Sequence, residues 1–139
     1  MHKRLLCLLL FAAFPLTALA EESPKAAAQE SPAKPETWLC QGSYQTTPGE
    51  PLKPQNRTLV LDSATSKMVM KVDGTQYEGQ FKVSGQDVLA SFEVAGSGDE
   101  RLVEEVVLSR MKGRLASVVK GKDGARVAQF RGGCSAARP

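Results

Sequence analysis

Two cysteines, a serine set between glycines, a run of carboxylates and a basic C-terminal third are the residues whose types could do chemistry here. Cys40 and Cys134 could act as a nucleophilic thiol, as metal ligands or as the halves of a disulfide. No C-x-x-C spacing surrounds either, and the single histidine, His2, lies in the N-terminal leader with Cys7. The chain beyond the leader lacks the commonest general base and metal ligand, so a structural Cys40–Cys134 bridge is the expected use. Gly96-Ser97-Gly98 has neither the G-x-S-x-G spacing of a nucleophile turn nor the length and lysine of a phosphate loop. Asp99, Glu100, Glu104 and Glu105 lack the D-x-D-x-D-G order of a calcium loop and are expected on a solvated face. No metal, cofactor or catalytic residue is therefore assigned, and the chain is not read as an enzyme.

The basic third offers more. Residues 21–105 hold 8 basic and 14 acidic side chains, a balance of −6, whereas residues 106–139 hold 8 basic and 1 acidic, a balance of +7. Such a split can attract an anionic partner even when the net charge is small. Arg110, Lys112 and Arg114 flank one turn, Lys120 and Lys122 the next, and Arg126 and Arg131 fall on the last strand. They could meet an envelope polyanion or an acidic protein surface, or simply decorate turns and edges. Nucleic acid is not expected, because no aromatic interleaves these cations as a stacking platform.

These groups must be positioned by strands. From Thr37 onward the pattern alternates with period two, the mark of half-buried strands. Trp38, Cys40 and Tyr44 share a face, as do Leu59 with Leu61, Met68 with Met70, and Val88, Ala90, Phe92 and Val94. Asp73-Gly74 is a hairpin signal, and Tyr77, Gly79, Phe81 and Val83 alternate after it. Leu102 to Ser109 also fits a helical stripe, but its β-branched pairs favour strand. Gln45 to Asn56, with three prolines, reads as a long irregular loop that could cover an opening. Asn56-Arg57-Thr58 is an acceptor sequon, of consequence only in a glycosylating host. The expectation is an all-β, antiparallel up-and-down barrel, or flattened sandwich, of about eight strands with one disulfide. Most aromatics should face inward, as core or as the lining of a cavity for an apolar small molecule. Tyr44 and Tyr77 are the expected mouth residues.

The first twenty residues predict export. Lys3 and Arg4 precede a short apolar run broken by Pro15, and Ala18-Leu19-Ala20 supplies a cleavage site before Glu21. The run is too short to span a membrane. Residues 21–36, rich in Ala, Pro, Glu and Ser, should form a disordered linker. The barrel is expected over 37–135 with a tail at 136–139, and the protein should be a periplasmic or secreted monomer.

Trp38 near the start, the long first loop, the meander and a cysteine at each end resemble the small lipocalin-like barrels of secreted bacterial proteins. Cys40-Gln41-Gly42 and Gly74-Thr75-Gln76-Tyr77 are also similar to the cysteine-glycine start and Gly-x-x-Tyr segment of periplasmic inhibitors of C-type lysozyme. That family carries serine where Asp73 stands here, and its later Trp-containing, Lys-Gly segment has no counterpart. The second resemblance implies contacts through Asp73 and Tyr77. The expected role is non-catalytic binding in the bacterial envelope, with a polyanion, a small molecule or a protein as partner. Tyr44, Asp73, Tyr77, Arg110, Lys112 and Arg114 are the candidate contacts, and inhibition of C-type lysozyme is the alternative.

Overall fold

A computed structural model describes residues 33–46 and 48–138. The expected leader and most of the expected linker lie outside the described residues. Eight strands succeed one another: β1 (Glu36–Gln45), β2 (Lys53–Asp62), β3 (Lys67–Val72), β4 (Thr75–Ser84), β5 (Asp87–Ala95), β6 (Arg101–Ser109), β7 (Arg114–Lys120) and β8 (Arg126–Ala136). Each pairs antiparallel with its neighbours in sequence, and β8 returns to β1, closing a barrel. No helix among the described residues is long and apolar enough to cross a membrane.

Alternation decides which side chains meet. Leu59 and Leu61, Met68 and Met70, Val88, Phe92, Val106, Leu108, Leu115 and Phe130 are fully buried on inward faces. Their outward neighbours are mostly exposed or half-buried. Removing such side chains from water is the main favourable contribution, at about 1.5–3 kcal/mol for each large one. The segment that could have been helical is β6. Its inward set is Leu102, Glu104, Val106 and Leu108, a strict period of two that no helix could bury on one face.

The antiparallel meander gives the barrel two ends. One carries the start of β1, with Trp38, and the β2–β3, β4–β5 and β6–β7 turns. The other carries Tyr44, the Asp73-Gly74 hairpin and the β1–β2, β5–β6 and β7–β8 connections. At the hairpin Asp73 and Gly74 both adopt positive φ, 48° and 79°, the backbone that a two-residue turn between right-twisted strands requires.

The closing seam between β1 and β8 is fixed twice. Cys40 and Cys134 are register partners joined by a disulfide, with Cα atoms 4.1 Å apart. Two residues along, Gly42 faces Gly132. A Cβ on Gly42 would lie 2.2 Å from the Arg131 carbonyl oxygen, and one on Gly132 2.6 Å from that of Gln41, so neither position admits a side chain without moving backbone.

Two boundaries differ from expectation. The barrel runs from Glu36 to Ala136, one residue longer at each end than expected, and β8 passes straight through Gly132-Gly133. The irregular stretch is shorter than Gln45 to Asn56, because β2 begins at Lys53 and includes Pro54. Pro54 is tolerated there because β3 pairs with β2 only from Arg57 onward, so its missing N–H breaks no bond on that side.

The bridge spans a sequence separation of 94. Loop-closure entropy sets its contribution at up to about 4–5 kcal/mol. Cys40→Ser with Cys134→Ser should therefore lower urea stability by a large part of that while far-ultraviolet circular dichroism stays all-β. Unchanged stability would show that the seam does not depend on sulfur.

Candidate functional site

The inward faces are not wholly apolar. Arg57 follows the parity of Leu59 and Leu61 on β2, Glu104 that of Val106 and Leu108 on β6, and Ser117 that of Leu115 and Val119 on β7. All three point into the barrel, where Arg57 is 3% exposed and Glu104 4%. Arg57 Nη1 donates to Glu104 Oε1 in a buried ion pair, and Ser117 Oγ donates to the same oxygen. Nη1 also lies 3.1 Å from Ser117 Oγ and 3.6 Å from Met70 Sδ, while Nε donates to Gln55 Oε1 at 2.9 Å. The guanidinium carbon sits 4.1 Å from the centre of the Phe130 ring and 5.9 Å from that of Tyr44.

Taking two charges out of water costs several kcal/mol for each, and the pair is tolerable only when its remaining polar groups are satisfied. Here an ion pair, the neutral partners Ser117, Gln55 and Met70, and an aromatic face share that cost. The group forms a polar floor across the barrel toward the Tyr44 end.

Toward the Tyr44 end the inward faces are less deeply buried. Tyr44, Val72, Tyr77 and Val94 are half-buried and pack on the core, with Leu102 beside them. The wall is incomplete on one side. β4 and β5 are hydrogen-bonded only from Gln80–Ser91 to Ser84–Asp87, so Thr75–Gly79 and Phe92–Ala95 run past each other unladdered. At the same end a cleft of about 340 Å³ is lined by Tyr44, Thr46, Ala95, Gly96, Leu102 and Ala128. Burial raises the Tyr44 pKa above its ordinary value. The Glu104 charge adds to this, Arg57 opposes it and Tyr77 contributes last. The phenol is thus neutral across the physiological range.

The six candidate contacts do not form one site. Tyr44, Asp73 and Tyr77 lie at the open end, and Asp73 Oδ2 accepts from Gln55 Nε2 at 3.1 Å, tying rim to floor. Arg110, Lys112 and Arg114 lie at the opposite end, around the β6–β7 turn. Arg110 is occupied: Nη2 donates to Glu36 Oε2 at 3.0 Å, and Glu36 Oε1 accepts from Trp38 Nε1 at 2.6 Å. Lys112 is exposed at the tip. Arg114 faces outward and, with Arg131, brackets a shallow groove over Gly132 and Gly133.

Glu104 corrects an expectation, since it does not join Asp99, Glu100 and Glu105 on a solvated face. Parity held the signal: Glu104 alternates with Val106 and Leu108, whereas Glu105 does not. Arg57, Ser117 and Gln55 are the other floor residues that residue type alone does not reveal. Among the described residues no group of three His, Cys, Asp or Glu side chains is placed to hold a metal ion. Comparison of the chain with protein-family models, with curated proteins and with solved structures finds no match.

Breaking the pair by Glu104→Ala should cost about 3–5 kcal/mol, because it strands a buried guanidinium. Arg57→Met, Glu104→Leu and Ser117→Ala together should regain most of that loss in urea denaturation. A Glu104→Ala protein as stable as the parent would mean that the charges are hydrated.

Tyr44 also sets a pH dependence. Above the ordinary tyrosine range the unfolded chain releases this proton before the folded one does, so the folded state binds more protons and loses stability as pH rises. Below both values the contribution is constant. In a Tyr77→Phe protein, where Tyr44 is the remaining tyrosine, tyrosinate absorbance should therefore appear later than in the denatured chain. Coincident titrations would contradict the burial.

Proposed function

We propose that this chain is a non-catalytic, exported binding protein of the bacterial envelope, and that the open end of the barrel is its binding site. One observation carries the reading: a buried, ion-paired polar floor of Arg57, Glu104 and Ser117 lies beside half-buried Tyr44, Tyr77, Val72 and Val94. A few placed polar groups beneath an apolar, concave lining is the usual composition of a small-molecule site. The barrel frames such a site, since each rim strand is still paired along at least one side. The signal-like leader and the Cys40–Cys134 bridge support an oxidising, extracytoplasmic compartment. The partner in this reading is a small molecule with an apolar body, held by a monomer.

A second reading is inhibition of a C-type lysozyme. It draws on the exposed Asp73-Gly74 turn, which stands at the same end with Tyr77 close behind it and is anchored through Gln55.

Native mass spectrometry of protein recovered from its own secretion compartment tests the first reading, and a lysozyme assay on the same material tests the second. The expected species begins at Glu21, keeps its bridge and carries a small molecule that Tyr44→Ala with Tyr77→Ala releases. Bare polypeptide, with nothing in an organic extract, would contradict small-molecule binding. Lysozyme slowed by the parent but not by Asp73→Ala would favour the second reading, and undiminished lysis would remove it.

A further inference from the structure

Two polar atoms in the floor have no hydrogen-bond partner among the described residues. Arg57 commits Nε to Gln55 and Nη1 to Glu104, Ser117 and Met70, which leaves Nη2. Glu104 commits Oε1 to both Arg57 and Ser117, which leaves Oε2. Both side chains are more than nine-tenths buried, yet neither atom is sealed off. The sealed polar side-chain atom without a partner, among the described residues, is Arg110 Nε at the other end of the barrel. A donor and an acceptor therefore remain open within the floor. Each is bonded to the same carbon as its ion-pairing neighbour, which keeps them within reach of one small group.

Charge decides what that group can be. Arg57 and Glu104 already neutralise each other, so the floor offers no net field to an ion. An anionic head on Nη2 would set a second negative charge beside Glu104, and a cationic head on Oε2 would set a second positive charge beside Arg57. Either head would also have to leave water with no counter-charge of its own. An uncharged group that both accepts and donates meets both open atoms without that penalty, and leaving either atom unmet in a filled mouth would itself be costly. Above the floor, Val72, Val94 and Leu102 offer apolar surface and the two tyrosines offer ring faces.

Resting on the reading of the open end as a binding site, we propose that its ligand carries an uncharged donor–acceptor head, a carboxamide in the simplest case, on an apolar body. The head accepts from Arg57 Nη2 and donates to Glu104 Oε2, and the body lies along Val72, Val94 and Leu102. Selection against charged analogues then comes from the ion pair rather than from shape.

Hexanamide, hexanoate and hexylamine share one apolar body and differ in head charge, so they serve as probes. Binding is followed by two-dimensional amide NMR of the disulfide-bonded protein, at residues 44, 77, 94 and 102. Hexanamide should bind about tenfold tighter than either ion, because only the ions are desolvated without a partner charge. Glu104→Gln keeps the shape but frees the Arg57 charge, and should move the preference to hexanoate. Equal affinities for the three, or a parent protein that prefers an ion, would overturn the head-group assignment while leaving the open end as a binding site. No shifts at the mouth with any probe would overturn the site itself. Should Glu104→Gln fail to fold, the three-probe comparison on the parent still decides.

Discussion

The ion pair between Arg57 and Glu104 is the constraint around which the interior is arranged. It joins β2 to β6 across the lumen, takes in Ser117 of β7, and lays the guanidinium on Phe130 of β8. Four of the eight strands thus meet at one polar centre inside an otherwise apolar barrel. Such a centre adds little net stability over a well-packed apolar core. Its effect is on register. A one-residue slip of β2 or β6 would turn a charge outward and leave its partner buried alone, which the chain cannot afford.

The two ends of the barrel divide the work. At the Trp38 end, Glu36 accepts from both Trp38 and Arg110, and the Cys40–Cys134 bridge holds the seam nearby. At the Tyr44 end, β4 and β5 part company, tyrosines stand half-buried and the polar floor is reached. Closure at one end by covalent and ionic contacts leaves the other free to diverge without loosening the ladder. On β2 the asymmetry is already in the strand pattern, because the inward positions toward the Tyr44 end, Gln55 and Arg57, are polar.

Much of this fold is legible in the alternation of side chains. Trp38, Leu59, Met68, Phe92 and Phe130 announce inward faces by their spacing, and with Cys7 in the expected leader the other two cysteines have a single pairing. The floor is harder to read because Arg57 and Glu104 have the residue types of a solvated face, and Arg57 stands in the middle of a sequon. Only their phase relative to Leu59 and Val106 distinguishes them, and a pairwise contact across the lumen has no local signature. Pro54 misleads in the other direction: its ring suggests a loop, yet one side of β2 is unpaired at that point and accepts it. The basic residues Arg110, Lys112 and Arg114 cluster in sequence at one turn. Antiparallel order sets that turn at the opposite end from Tyr44, Asp73 and Tyr77, so proximity along the chain does not become proximity in space.

The Arg57 side chain reports most directly on whether charge is truly paired inside the barrel. Nitrogen-15 NMR of the guanidinium, assigned by its loss in Arg57→Lys, should show an Nε–H shifted by the Phe130 ring current, slow to exchange with water, and restricted rotation of its Nη groups. An Arg57 signal averaged and exchanging like those of exposed arginines would contradict the polar floor and the binding site built upon it.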